Sequence, residues 1–374
     1  MGATPREGAM LYLLRHYESW FGPLRLFGFS SFRSMGAVVT ALAVSLVFGP
    51  WVIRLLRRHG ARDQGRTFGG LNVASKEGTP TMGGLLMLGS LFAAALLWCD
   101  LSNQQVRIVL AAALYFGGIG AFDDLLKIRH QSNERGLARH WKYAAQIAFG
   151  GLVAVLYLTE PSSPYDLRVA RTLVLPLSSK GIYLGWGYLL FVVVFMVLAS
   201  NSVNLTDGLD GLAIVPALLV AGVLGVFAFV VGSDAATARE LLFRYLPGCG
   251  ELVVFCAALL GAGAGFLWFN CHPASVFMGD TGSLALGGIL GTLALLVKQE
   301  IVFFIAGGVF VVEAGSSFLQ DYIGLKLLGR RIFFRAPYHH SLMHQGYGET
   351  KVVTRFWILA AIFAVMALAT LKLR

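Results

Sequence analysis

Asn201, Asn204, Asp207 and Asp210 recur every three residues in NSVNLTDGLDGLA, a polar segment between two runs apolar enough to cross a bilayer. On a helical turn that spacing crowds two carboxylates and two amides toward one side. Gly208 and Gly211 then let the backbone close in on a ligand. A carboxylate near the hydrocarbon costs about 2.5–3.5 kcal/mol on insertion scales, so an ionisable group there marks function by default. This donor set suits a cation held together with a phosphate or a nucleotide. Taken alone, Asp207 and Asp210 also read as turn or capping residues.

Four further segments carry costly polar groups. SKEGTPTMGG sets Lys76 before a Pro-Thr turn and a double glycine; by itself this lysine reads as a snorkelling residue at a span end. FDDLLK puts Asp123 and Asp124 side by side, with Lys127 one turn later. The pair is either a solvated helix end or two carboxylates that repel unless a cation or proton sits between them. Lys127 either pairs with one of them or holds a phosphate. NCHPASVFMGDTGS carries Asn270, His272, Phe277 and Asp280, the last in a turn expected to expose its carboxylate above the next apolar run. RAPYHHSLMHQGYGE holds His339, His340 and His344. Adjacent histidines lack the i, i+4 spacing of a helical zinc pair and read as phosphate contacts or surface groups. Hard oxygen donors in small number, with room left for water and phosphate, suit Mg2+ better than zinc. Only the co-occurrence of the five segments makes a site of them.

Such groups need a membrane scaffold to converge. The chain has 374 residues, 56% hydrophobic and 13% charged, against about 25% charged in soluble domains. About ten runs have the apolar character of spans: 35–56, 82–98, 106–122, 143–158, 182–200, 212–232, 251–269, 284–297, 301–325 and 355–371. The fourth and eighth are short, and Glu313, Gln320 and Asp321 interrupt the ninth, which is expected to break there or to protrude as a tilted helix. The expected fold is an all-α polytopic membrane protein, one domain over 1–374 with residues 1–34 as an interfacial arm anchored by Trp20, Phe21, Phe27, Phe29 and Phe32. No N-terminal stretch has the order of a cleaved signal peptide, so the first span serves as the insertion signal. Cys99, Cys249, Cys256 and Cys271 show no ligand spacing and read as packing residues.

The net charge of +10 is unevenly placed. Counting the loops between runs, the odd ones hold 17 of the 30 Lys and Arg and the even ones 7. The positive-inside rule then puts the odd loops in the cytoplasm and both termini outside. All five polar segments lie on odd loops, so a cleft at the cytoplasmic face is expected. The basic residues sit where membrane topology wants them, which argues against a nucleic-acid role.

In their order along the chain, SKEGTPTMGG, FDDLLK, NSVNLTDGLDGLA, FLWFNCHPASVFMGDTGSLALGG and the late HH loop followed by RFW resemble the phospho-N-acetylmuramoyl-pentapeptide transferases (the MraY family). These are a branch of the polyprenyl-phosphate N-acetylhexosamine-1-phosphate transferases. The resemblance implies Mg2+-dependent transfer of phospho-MurNAc-pentapeptide from UDP-MurNAc-pentapeptide to undecaprenyl phosphate. UMP and lipid I are the implied products, formed at the cytoplasmic face of a bacterial cell (inner) membrane for peptidoglycan synthesis, cell-wall growth and division. It also implies a homodimer.

Residue by residue, the resemblance makes Asp280 the Mg2+ ligand and Asp123 and Asp124 the pair that deprotonates or positions the lipid phosphate. It sets Lys127 and Lys142 near phosphates, and Asn204 and Asp207 along the cleft. Lys76, Gly208, Leu209, Asp210, Asn270 and Phe277 fall around the uridine, with Phe277 stacked on the base. His339 and His340 match the first two of three consecutive histidines near the pyrophosphate. Here Ser341 stands in place of the third, followed by Leu342 and Met343, with His344 as a partial substitute.

Two other functions compete. One is a sibling transferase using UDP-GlcNAc for another cell-surface glycan, favoured by the altered histidine element. The other is a transporter with intramembrane acids, opposed by acids at span ends rather than near the midplane. For the chemistry, a single displacement competes with a two-step route through a phospho-aspartate.

Overall fold

The computed structural model describes residues 11–61, 78–132, 135–160, 162–176, 178 and 181–372. Each apolar run becomes a helix because hydrocarbon offers no partner for backbone polar groups. Two short 3-10 turns (Tyr12–Tyr17, Gly22–Gly28) lead into α1 (Ser30–Arg58), followed by α2 (Gly84–Trp98), α3 (Gln104–Arg129) and α4 (Arg139–Leu158). A one-turn α5 (Leu167–Ala170) precedes β1 (Thr172–Leu173) and β2 (Ile182–Tyr183). These strands pair antiparallel, Thr172 opposite Tyr183. Then come α6 (Gly187–Thr206), α7 (Ile214–Gly232), α8 (Ala235–Glu240), α9 (Leu252–Asn270) and α10 (Gly279–Leu296). The chain closes with α11 (Glu300–Ala306), α12 (Gly308–Phe318), a π-helical stretch (Leu319–Leu327), α13 (Tyr338–His344) and α14 (Glu349–Ala369).

The protein is all-α and crosses the membrane many times. Among the described residues, eight helices are individually long and apolar enough to span. A ninth span forms if α11 and the helix from Gly308 to Leu327 count as one, bent by 84°. The 15-residue α2 occupies the remaining predicted run. The break in the ninth run falls at Gly307, upstream of the polar Glu313, Gln320 and Asp321 on which it was expected. α1 begins at Ser30, inside the stretch read as an interfacial arm, because Arg33 is buried against Glu251 (Nη2–Oε2 2.8 Å) rather than lying on the surface. Cys99, Cys249 and Cys256 are buried as expected, whereas Cys271 is exposed.

α10 is the axis of the molecule. Every residue from Thr281 to Leu296 is buried, with α3 and α6 packed along its length and α2 crossing near its start. Glycines bring these neighbours to backbone contact. A Cβ at Gly120 on α3 would run into the Asp280 carbonyl, and one at Gly287 would meet the Ala199 carbonyl of α6 at 2.5 Å. Small-residue contacts of this kind are how helices associate where no hydrophobic force separates protein from solvent. The result fixes the first turn of α10 against the C-terminal ends of α3 and α6.

Candidate active site

The first turn of α10 is held by partners distant in sequence. The Gly83 N–H donates to the Phe277 carbonyl (2.8 Å), Gly84 N–H to the Met278 carbonyl (2.9 Å), and Phe277 N–H to the Pro80 carbonyl (2.8 Å). TPTMGG thus clasps VFMGD through main-chain bonds. Gly279 then turns the chain into the helix at φ 71°, with no room for a Cβ beside the Asp124 carboxylate. Asp280 therefore lies in the first turn of α10, partly buried, and not in an exposed turn above the span.

Asp124 is spent on that turn. Its Oδ1 accepts from the Asp280 N–H (3.1 Å), and its Oδ2 from the Thr281 N–H (2.9 Å) and hydroxyl (2.7 Å). The carboxylate satisfies donors that a helix start leaves unpaired and complements the positive end of the helix dipole. Its neighbour Asp123 faces the cations instead. Asp123 Oδ2 lies 2.6 Å from Lys127 Nζ and 2.9 Å from Lys142 Nζ, while Oδ1 accepts from the Leu137 N–H (2.6 Å). Both lysines also reach Asp280 Oδ2, Lys142 at 2.7 Å and Lys127 at 3.2 Å. Asp280 Oδ1 accepts from Asn204 Nδ2 (3.0 Å), which also reaches Ser283 Oγ (2.8 Å).

Three carboxylates and two ammonium ions thus form one cluster from α3, α4 and α10, with Asn204 of α6 at its side. Asp123 and Asp124 are buried, whereas the Lys127 and Lys142 side chains remain 18% and 21% exposed, so the cations form the wet side. Oxygens of Asp123, Asp124 and Asp280 lie within 4.8 Å of one another, close enough to share a metal ion. The hard carboxylate set fits a divalent cation such as Mg2+, and the lysines supply compensating charge to the cluster as it stands.

A second group lies along the polar segment of the opening. α6 ends at Thr206, so Asn201 and Asn204 share a helix but Asp207 and Asp210 do not. The expectation of four groups on one helical side is corrected: Gly208 follows and the chain leaves the helix. Asp210 Oδ2 accepts from the Ala274 N–H (3.1 Å) and faces His272 Nδ1 (3.0 Å), and the Asp210 N–H donates to Glu349 Oε1 (3.0 Å). Asp210, His272 and Glu349 also come close enough to hold a metal ion. Asn270 accepts from the Gly211 N–H (3.1 Å) and donates to the Val276 carbonyl (2.9 Å), which ties α9 to both loops. Leu209 is buried against the α14 side, and Phe277 is half-buried beside the clasp.

His339 is buried. Its Nδ1 lies 2.8 Å from Glu313 Oε2, and its N–H donates to Glu313 Oε1 (3.2 Å). A carboxylate at Nδ1 favours the tautomer that carries its proton on that nitrogen. Nε2 has no hydrogen-bond partner and faces the Cα of Gly208, where a Cβ would strike it. His340 packs on His339 with ring centroids 4.1 Å apart. His344 does not stand in for the missing third histidine, since it is exposed and stacked on Phe334. Ser341 is buried, and its Oγ accepts from the Arg335 N–H (3.4 Å). Lys76 lies outside the described residues.

The structure therefore brings together Asp123, Asp124, Lys127, Lys142, Asn204 and Asp280. It gathers Gly208, Asp210, Asn270 and His339 around the loop after α6. Thr281, Ser283, Glu313 and Glu349 join these groups without having been singled out as site residues. Glu313 carried a signal, an acid inside an apolar run, but it was read as an interruption of the span.

A carboxylate and lysine cluster at one end of the spans of a many-helix membrane protein suits binding of phosphate anions and a divalent cation. Residues 106–298, just over half of the chain, match glycosyl transferase family 4, and the protein belongs to that family. This family contains the polyprenyl-phosphate hexosamine-1-phosphate transferases, so the chain is a phospho-sugar transferase acting on a lipid and a nucleotide sugar. The matched stretch runs from α3 past α10 and includes the whole ion cluster.

Proposed function

We propose that the protein transfers phospho-MurNAc-pentapeptide from UDP-MurNAc-pentapeptide to undecaprenyl phosphate, producing lipid I and UMP at the cytoplasmic face of a bacterial inner membrane. On this reading residues 1–374 form one transferase domain. The observation that carries the reaction type is the cluster of Asp123, Lys127, Lys142 and Asp280, acid and base interleaved within 3.2 Å at one end of the spans. The TPTMGG clasp and the RAP–HH–GxxE–RFW stretch support the muramoyl substrate over UDP-GlcNAc.

Both substrates are anions, so their approach must be neutralised. Lys127 and Lys142, the exposed cations of the cluster, bind the phosphates and hold them against repulsion. Asp123, buried and fixed by the Leu137 N–H, positions the lipid phosphate through Lys127 and Lys142, which it holds by Oδ2. Asp124 is a positioning residue, because its oxygens are engaged by α10. Asp280, with Asp123 beside it, would hold Mg2+, which when bound supplies charge neutralisation and polarises the phosphoryl oxygens. A lipid phosphate oxygen attacks the β-phosphorus, the bond to the UMP oxygen breaks, and UMP leaves with the electron pair. Two ammonium ions on Asp123 Oδ2 weaken it as a nucleophile, which favours this single displacement over a phospho-aspartate. Gly208, Leu209, Asp210, Asn270, Phe277 and Lys76 are assigned to the uridine, and His339 with His340 to the pyrophosphate.

The test follows UMP release by purified protein with undecaprenyl phosphate and either UDP-MurNAc-pentapeptide or UDP-GlcNAc, with Mg2+ titrated. Mg2+-dependent release with the muramoyl donor is expected. Release with UDP-GlcNAc alone would replace this reading with the sibling transferase, and solute flux without release would remove the transferase reading altogether.

A further inference from the structure

One turn deeper in the membrane than the ion cluster, α4 and α6 carry a second pair of polar side chains. Gln146 follows Lys142 by four residues and Asn201 precedes Asn204 by three, so each shares a helix face with its cluster neighbour. Helix rise sets them about 6 Å and about 4.5 Å from those neighbours. Asn201 Nδ2 donates to Gln146 Oε1 (2.6 Å) and to the Val197 carbonyl (2.8 Å). The carbonyl identifies that atom as nitrogen, so Gln146 must turn its oxygen to Asn201. Its own Nε2, buried, then finds no acceptor among the described residues. An orphaned donor is destabilising, and leucine or methionine at the same place would avoid it. Packing alone therefore does not account for this amide.

The helices of the cluster are not held equally. α6 is locked to α10 by backbone contact at Gly287 and by the Ser200 hydroxyl on the Leu284 carbonyl (3.4 Å), so Asn204 reaches Asp280 Oδ1 without further help. Lys127 shares α3 with Asp123 and Asp124, so its place is set within one helix. Lys142 comes from α4, which packs chiefly on α6, with Gly150 against Val193 and Met196. Such apolar contacts carry no directional bond along the axis. Among the described residues, Gln146–Asn201 is the one side-chain hydrogen bond that joins α4 to α6. It falls one turn from Lys142, whose Nζ must meet Asp123 Oδ2 and Asp280 Oδ2 at 2.9 and 2.7 Å. Two other ties hold α4 elsewhere, the Tyr115 hydroxyl of α3 on the Ala145 carbonyl and the Tyr157 hydroxyl on the Leu295 carbonyl of α10 (both 3.0 Å).

We propose that Gln146 is a positioning residue for the transfer reaction: through Asn201 it fixes the height of α4 on α6 and so places the Lys142 ammonium between Asp123 and Asp280. This rests on the reading of that cluster as the transferase site and adds what sets one of its two cations. Without the amide pair α4 keeps its apolar packing and its fold, but Lys142 no longer meets both carboxylates at bonding distance.

The experiment uses the full-length protein in detergent, with UMP release and Tm measured on the same preparations. Gln146→Met keeps the length of the side chain and removes the acceptor; kcat should fall at least about tenfold while Tm does not fall. Asn201→Leu should reproduce that loss, and Gln146→Glu, which still accepts from Asn201, should keep kcat within about threefold of the parent. In a Lys142→Met background Gln146→Met should change kcat by no more than about twofold, because its effect passes through that cation. Tyr115→Phe, which releases the tie to α3, should leave kcat within about twofold of the parent. Spin labels at exposed Trp141 and Leu198, with exposed Cys271 replaced by serine, read the helix offset without turnover; Gln146→Met should shift their distance by about 1 Å, less than one residue of rise. An unshifted distance, a kcat loss that adds in full to Lys142→Met or is matched by a fall in Tm, or a larger loss in Tyr115→Phe would each overturn the proposal. A shifted distance in a protein that releases no UMP would sink the transferase reading and leave the α4–α6 register standing.

Discussion

Gly120→Ala adds one methyl group where α3 meets the start of α10. The new Cβ would press on the Asp280 carbonyl and stand 2.6 Å from the Thr281 Cα. Carbon atoms rest at about 3.5 Å or more, so α10 must retreat from α3 by about 1 Å. Both obstacles are backbone, so no side-chain rotation relieves the contact. That retreat stretches the bonds from the Asp280 and Thr281 N–H groups to Asp124, now 3.1 and 2.9 Å, and moves Asp280 away from Lys142. A displacement of this size costs about 100-fold in rate when positioning carries the chemistry. The overpacking itself costs about 1–3 kcal/mol of stability. UMP release at saturating substrates, with Tm measured on the same preparation, reads both quantities. Gly89→Ala, on α2 and facing open space, is the control and should match the parent in both. If Gly120→Ala kept its rate within about threefold of that control, the α3–α10 contact would not be what places the carboxylates.

Other substitutions probe separate parts of the account. Lys142→Met removes one of the two cations that bridge Asp123 and Asp280, and UMP release should fall at least about 100-fold as transition-state charge loses part of its counter-charge; retained activity would assign the phosphate contact elsewhere. Glu313→Leu leaves the buried His339 Nδ1 without an acceptor and should cost about 1–3 kcal/mol in thermal unfolding, whereas Glu313→Gln, which still accepts, should cost less. Equal losses in the two variants would mean that the Glu313–His339 bond contributes nothing specific. Arg33→Met at the opposite ends of the spans leaves the Glu251 carboxylate without its counter-charge, holding only the Asp100 N–H, and should lower stability by up to about 3 kcal/mol. Its folded fraction should keep its specific activity, and a selective loss of turnover would tie that ion pair to the chemistry.

The spans were legible because their cause is local: runs of apolar residues long enough for a bilayer leave little alternative to a helix. FDDLLK and MGD were legible as site elements because ionisable groups beside such runs are costly. What escaped depended on distant partners. Asp280 enters a helix rather than a turn because Pro80, Gly83 and Gly84, nearly two hundred residues earlier, pin the strand before it. Asp124 looked equivalent to Asp123 until its three donors proved to come from Asp280 and Thr281 on another helix. The spacing of Asn201, Asn204, Asp207 and Asp210 suggested one helical side, although Gly208 was already a local stop signal. The bend of the ninth span followed the Gly307-Gly308 pair and not the polar residues beyond it, and His344 was judged by residue type when its α13 position turns it toward Phe334.

Mn2+ binding followed by electron paramagnetic resonance tests the cluster most directly, because it needs neither substrate nor turnover. The account predicts one tightly held Mn2+ per chain, displaced by excess Mg2+, lost in Asp280→Asn and retained in His272→Ala. Binding that survived Asp280→Asn and vanished in His272→Ala would put the ion at Asp210 and Glu349, contradicting the assignment to the first turn of α10.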